Sequence, residues 1–253
     1  MNNKVIIAMW SGPRNISTAM MRAFENRPDT IVVDEPFYAH YLLKTGYNHP
    51  MRDEVINSQS SNWNKIAKRL TSQIPNDKDV WYQKHMAQHN LPNYSLDWTQ
   101  NIFNCFLIRD PKEVIHSYSK KFELTSPEQI GFPQQLELFN KLKNLHQNSL
   151  PIVIDSKDIL LNPKRMLNNL CTQLEIPFFD EMLNWPKGPR STDGIWSKHW
   201  YKNVEASSCF NKYSPKIVEL PKKYHSIYYE CKSIYDELNC YKMDINHLDS
   251  VII

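Results

Sequence analysis

The chain has 253 residues, 41% of them hydrophobic, enough to bury one sizeable core. Its formal net charge of +3 is too slight for a broad nucleic-acid-binding face but is compatible with a local anion site. The apolar run at the N-terminus is only about six residues, too short for a signal peptide or a membrane span; the five cysteines are odd in number and form no Cys-x-x-Cys pair, so a reduced, cytoplasmic protein is expected.

In chain order, Lys4-Val-Ile-Ile-Ala-Met9 reads as a short buried strand. Ser11 to Thr18 forms a loop, and a helix follows over 17–27. Strand, loop and helix in this order is the layout of a phosphate-binding loop, with backbone N–H groups and the helix N-terminus facing an anion. Ser17 and Thr18 add hydroxyls and Arg14 a fixed positive charge. The loop has no Gly-Lys-Ser/Thr, so it is not the nucleoside-triphosphatase form of the motif. Further strands are expected at 30–33, 79–83, 103–108 and 151–154, and helices at 58–74, 111–122, 134–147 and 163–175. The 58–74 segment spaces Trp63, Ile66, Ala67, Leu70 and Ile74 at helical intervals. Tyr224 to Leu238 carries an apolar and aromatic stripe that marks a last helix, inside a C-terminal helical segment of about 215–240, and reads as packing surface. Alternating strands and helices predict a three-layer α/β/α fold with a central parallel sheet, in one domain spanning 1–253. No internal repeat or low-complexity tract interrupts it.

The most informative segment is Ile108-Arg-Asp-Pro-Lys-Glu-Val-Ile-His-Ser117. The strand before it ends in Arg109; Asp110 caps a helix that opens with Pro111. Ser117 lies less than two turns into that helix, on a face directed back toward the strand end, whereas His116 should project elsewhere. A guanidinium and a hydroxyl converging beyond the end of a strand suit a phosphate.

Together these segments resemble the sulfotransferases that use 3′-phosphoadenosine 5′-phosphosulfate. In that family a first-strand loop of the form Pro-Lys/Arg-Ser-Gly-Thr-Thr holds the 5′-phosphosulfate, and Pro13-Arg14-Asn15-Ile16-Ser17-Thr18 is similar to it. Its second motif sets an Arg and a Ser eight residues apart on the 3′-phosphate, matched by Arg109, Pro111 and Ser117. Ile154 to Pro163 resembles the next strand-to-helix segment, and Lys187-Gly-Pro-Arg-Ser-Thr-Asp-Gly-Ile-Trp196 is similar to a basic loop ending in Trp, which would make Arg190 a cofactor ligand. Ile16 stands where the family has Gly, and the basic loop is rearranged. The resemblance runs from about residue 4 to about residue 204 and implies the nucleotide-loop sulfotransferase fold.

In-line transfer of a sulfuryl group asks for a base on the acceptor, cations on the departing phosphate and a nucleotide clamp; no metal is required, and no metal-ligand spacing is visible. The resemblance implies two candidates for the base: Glu35, just after the second strand, or His85, following Lys84 at the end of the third. Arg14 and Lys84 are the expected cations. The structural alternatives are a capping role for Asp34 and Glu35 before Pro36, and a hydrogen-bonded core histidine for His85. If Glu35 and His85 share the site, the carboxylate should raise the imidazole pKa. Asp34 would orient Arg14 or act as a cap. The segment from Tyr38 to Lys78, the C-terminal quarter and His199 are expected around a small-molecule acceptor, with neither nucleic acid nor membrane as partner. A small-molecule kinase and a non-catalytic nucleotide-binding protein are the alternative functions.

Overall fold

The structure is a computed structural model that describes residues 4–145, 150–215 and 218–244. Five strands form one sheet: β1 Val5–Ser11, β2 Thr30–Asp34, β3 Val80–Met86, β4 Phe103–Ile108 and β5 Ile152–Asp155. Their order is β2-β3-β1-β4-β5 and every pairing is parallel. The helices are α1 Ser17–Glu25, α2 Tyr38–Thr45, α3 Arg52–Ser58, α4 Trp63–Leu70, α5 Pro111–Tyr118, α6 Phe132–Leu145, α7 Ser156–Leu161, α8 Pro163–Gln173, α9 Ser197–Trp200, α10 Lys202–Glu205 and α11 His225–Asn239.

Parallel strands are covered on both faces, so they read as continuous apolar runs, and their alternate residues sort into two cores. Ile7, Met9, Cys105, Leu107 and Ile154 pack toward α1 and α8, against Met20, Phe24, Leu167 and Leu170. Ala8, Trp10, Phe106, Ile108 and Val153 face the other way, against Leu138, Phe139 and Leu142 of α6 and Leu238 of α11. On that same side Trp63, Ile66 and Leu70 of α4 meet Phe37 and Trp81. The expected three layers are therefore present.

The element bounds differ from expectation in informative ways. The β1 and β3 strands each run two or three residues further than the apolar pattern, because Ser11, Lys84 and Met86 continue the ladder: Met9 pairs with Lys84 and Ser11 with Met86. The expected 58–74 helix is confined to α4, since the Asn62 side chain accepts the Lys65 N–H at 3.0 Å and fixes its start there. Helices α2 and α3 occupy a stretch read only as acceptor lining, and α2 is ended by Gly46 in the left-handed conformation. The last two positions of the expected 134–147 helix lie outside the described residues, as do 216–217 of the expected C-terminal segment. Among the described residues, no helix is long and apolar enough to cross a membrane.

Candidate active site

Beyond the C-terminal ends of the strands lies a cleft of about 1190 Å³, where open α/β sheets hold their ligands. It has two chemical regions, built by different strand pairs.

The first region is cationic and grows from the ends of β1 and β4. Gly12 passes so close to the Ile130 carbonyl that a β-carbon there would sit 2.6 Å from its oxygen, so no other residue fits without a shift. The chain then turns through two left-handed residues, Arg14 at φ 66° and Ile16 at φ 55°, before α1 opens at Ser17. The family's Gly is thus replaced by a β-branched residue in a conformation that disfavours it, a strain of the kind that gathers at functional sites. The loop is tied down from β4 and α5. Asn15 Nδ2–H donates to the Leu107 carbonyl at 3.0 Å, Arg14 Nε–H to Ser117 Oγ at 2.9 Å, and Arg109 Nη1–H to the Arg14 carbonyl at 2.6 Å. Arg109 also pairs with Glu113, one turn into α5, at 2.8 Å. Asp110 caps α5 by accepting the Lys112 N–H at 2.7 Å, which sets the helix angle that brings Ser117 to the loop. Burial and the nearby Arg109 charge both lower the Arg14 pKa, the mark of a cation site lacking a countercharge.

The second region is a buried charge cluster at the ends of β2 and β3. Asp34 and Lys84 are register partners, so their side chains leave the sheet on the same face. Lys84 Nζ donates to Asp34 Oδ1 at 2.9 Å, Glu35 Oε1 at 2.5 Å and the Tyr201 hydroxyl at 2.8 Å, using all three of its protons. The Tyr201 hydroxyl donates to Asp34 in turn, and the Gly194 N–H reaches Asp34 Oδ2 at 3.1 Å. Glu35 sits at φ 40°, a third left-handed residue at the site. Burial on its own would lower the Lys84 pKa, but Asp34 and Glu35 more than offset it and hold the ammonium well above its ordinary value. Burial raises the Glu35 carboxyl, with Lys84 pulling the opposite way. His89 Nδ1 lies 3.9 Å from Glu35 Oε2 and has no hydrogen-bond partner; its ring stacks on Tyr38, with centroids 4.6 Å apart.

Pro13, Arg14, Asn15, Ile16, Ser17, Thr18, Glu35, Lys84, Arg109 and Ser117 all line this cleft. His85 does not. Neighbours on a strand point to opposite faces, so with Lys84 at the cleft His85 faces the other core, stacked on Trp10 at 4.3 Å and bonded to Gln83. Burial and the Lys84 charge push it down to about 3, the reverse of the expected rise beside a carboxylate. The imidazole that does approach Glu35 belongs to His89, and burial with nearby positive charge keeps it neutral as well. Arg190 is also absent from the lining: it bonds to the Pro186 carbonyl and lies near Glu25 of α1. Asp34 neither orients Arg14 nor caps α2, because Lys84, Tyr201 and Gly194 take it up. His116 lines the cleft, contrary to expectation, whereas His199 does not and its neighbours Trp200 and Tyr201 do. Of the Tyr38–Lys78 segment, Tyr38 and the stretch from Asn48 to Glu54 line it. Tyr201 and His89 belong to no motif of the sequence; the aromatic-rich run Trp196 to Tyr201 is the one signal that points to the former. Among the described residues, no group of three or more His, Cys, Asp or Glu is arranged to hold a metal.

Comparison with known proteins bears on the fold and the family. Among solved structures, the sulfotransferase domain of the Synechococcus PCC 7002 olefin synthase aligns over 96% of this chain and 97% of its own, with TM-score 0.54 at 14% identity. A sulfotransferase from Alicyclobacillus acidocaldarius aligns over 96% and 98%, with TM-score 0.53 at 10% identity, which shows a shared fold. Two curated relatives from Arabidopsis thaliana are branched-chain-amino-acid aminotransferase-like protein 1, 35% identical over 83% of this chain, and protein 2, 29% identical over 93%. The chain spans 37% and 42% of their lengths, about two fifths. The profile of the sulfotransferase domain matches residues 4–223, nearly the whole chain, and the protein belongs to that family.

Proposed function

We propose that the protein transfers a sulfuryl group from 3′-phosphoadenosine 5′-phosphosulfate to a hydroxyl or amine of a small-molecule acceptor, the whole chain acting as one sulfotransferase-like domain in the cytoplasm. The observation that carries this reading is the meeting, in one cleft, of the Arg14–Arg109–Ser117 cation clamp with the buried Lys84–Glu35 pair. The clamp suits a nucleotide with phosphates in two places: the loop residues Pro13 to Thr18 for the 5′-phosphosulfate, Arg109 and Ser117 for the 3′-phosphate. The donor supplies an activated sulfuryl group on a phosphate leaving group. Glu35, whose carboxyl burial raises while Lys84 opposes that rise, takes the acceptor proton as the new sulfur–oxygen or sulfur–nitrogen bond forms. Lys84 and Arg14 stabilise the charge that moves onto the phosphate as its bond to sulfur breaks. His85 has no part in this assignment, being neutral and on the far face of β3. Five free thiols support a reducing compartment.

Calorimetric titration with adenosine 3′,5′-bisphosphate beside ATP and magnesium tests the reading. Tight binding of the bisphosphate with little ATP binding is expected. A preference for ATP would replace the donor with a triphosphate and the reaction with phosphoryl transfer.

A further inference from the structure

Arg109 spends more of its donors on the protein than a residue reserved for a ligand would. Nη1–H holds the Arg14 carbonyl at 2.6 Å, while Nε–H and Nη2–H both reach Glu113 Oε2, at 2.9 and 2.8 Å. Glu113 is fixed in turn by the Tyr213 hydroxyl, which donates to its other oxygen at 3.2 Å. A guanidinium has five N–H donors, so these bonds leave one on each terminal nitrogen for the cleft that Arg109 lines.

The carbonyl it holds belongs to Arg14 at φ 66°, two residues before Ile16 at φ 55°. Side chains other than glycine disfavour that region, and such conformations persist only where their surroundings over-determine them. The Arg109 bond, the Arg14–Ser117 bond and the Asn15–Leu107 bond provide the restraint here. The restraining groups sit at the end of β4 (Leu107), in the turn after it (Arg109) and on α5 (Ser117), and of these three Arg109 alone carries a charge into the ligand cleft.

We propose that Arg109 is a positioning residue for the first-strand loop: by holding the Arg14 carbonyl it keeps the loop in its anion-binding shape and couples the two phosphate positions. This rests on the nucleotide reading given above. A ligand with only a 5′-phosphate then depends on Arg109 without touching it, and a 3′-phosphate that fixes Arg109 also firms the loop.

The test pairs calorimetry with hydrogen exchange, on wild type and Arg109→Lys. Lysine keeps the charge but lacks the planar fork that reaches Glu113 and the Arg14 carbonyl together. The expected result is at least tenfold weaker binding of adenosine 5′-phosphate and a larger loss for adenosine 3′,5′-bisphosphate. In the ligand-free variant, amides 15–18 should exchange at least tenfold faster, with those of α8 unchanged. A 5′-phosphate affinity within twofold of wild type overturns the proposal, leaving Arg109 as a 3′-phosphate ligand alone; so does unchanged loop exchange. If the wild type binds neither nucleotide, the functional reading falls, and the loop exchange still decides the positioning role.

Discussion

Lys84→Met puts the buried charge cluster to a quantitative test. Lys84 and Asp34 side chains are each 1% exposed and Glu35 is 11% exposed, so the ammonium is the chief countercharge for two carboxylates that water barely reaches. Removing one partner of a buried pair costs about 3–5 kcal/mol, mostly because a charge is left uncompensated. Asp34 keeps two donors, from Tyr201 and Gly194, whereas Glu35 is left beside a neutral His89 at 3.9 Å. The cost should therefore fall near the lower end, about 3 kcal/mol, or roughly 6–12 °C in Tm for a chain of this size. The sign of its pH dependence follows from the carboxylates. With Lys84 gone, Glu35 loses the one influence that opposes burial, so its folded pKa rises further above the unfolded value. Stability from such a raised group is fully present below the unfolded value and is lost as pH rises through the folded one, so the gap to wild type should narrow from pH 7 to pH 5. Thermal melts followed by circular dichroism at both pH values provide the assay, and Lys84→Met combined with Glu35→Gln should recover part of the loss. A Tm change under about 2 °C at pH 7, or a loss of equal size at both pH values, would refute the account of a compensated buried pair.

Other outcomes follow from the same geometry. Glu35→Gln should reduce sulfuryl transfer by about 10²–10⁴-fold while bisphosphate affinity stays within a few-fold, as measured by single-turnover assay and calorimetry; an unchanged rate would remove Glu35 as the base. His85 titrates near 3 in the fold against 6.5 for the ordinary side chain, so its contribution is present above 6.5 and is lost as pH falls toward 3. Urea melts should show stability dropping by about 1.4 kcal/mol per pH unit from this group below pH 6, and His85→Gln should flatten that slope. Ile16→Gly should leave stability within about 1 kcal/mol of wild type, because relief of a left-handed isoleucine, about 1–2 kcal/mol, offsets lost contacts and added chain entropy. A loss above about 2 kcal/mol would mean that the side chain packs better than its backbone is strained.

The sheet was legible because burial on both faces leaves a plain apolar signature; β4 matched to the residue, while β1 and β3 run on through ends that include polar Ser11 and Lys84. The Arg109–Ser117 part of the clamp was legible because it is local: Asp110 and Pro111 fix where α5 begins, so eight residues of spacing set where Ser117 lies, whereas Arg14 joins from 103 positions away. The base region was harder, since its members arrive from distant parts of the chain. Tyr201 meets Asp34 across 167 positions, and no spacing rule announces that. The His85 assignment had a check that needed no structure. Lys84 and His85 are adjacent on a strand, so one alone can face the cleft, and the family's lysine claimed it. His89 reaches Glu35 from the turn after β3, where neither period nor spacing constrains direction.

The topology explains why the two halves of the cleft differ. With the order β2-β3-β1-β4-β5, the connection after β1 leads to β2 on one side of the sheet, while the connection after β4 leads to β5 on the other. The loops leaving β1 and β4 therefore diverge, α1 onto one core and α5 toward the α11 side, and a crevice opens between them. Arg14 and Arg109 come from these two loops, which is why the cations sit at the mouth with donors to spare. Asp34 and Lys84 come from strands on one side of β1, hydrogen-bonded to each other in register, so their charges are buried and paired instead. A cleft with two arginines at the divergence point, each keeping N–H donors for a ligand, and a compensated lysine beside them separates anion capture from proton removal. Loss of Arg109 should then appear in nucleotide affinity and loss of Glu35 in rate, and variants that exchanged those effects would place the two functions on the wrong strands.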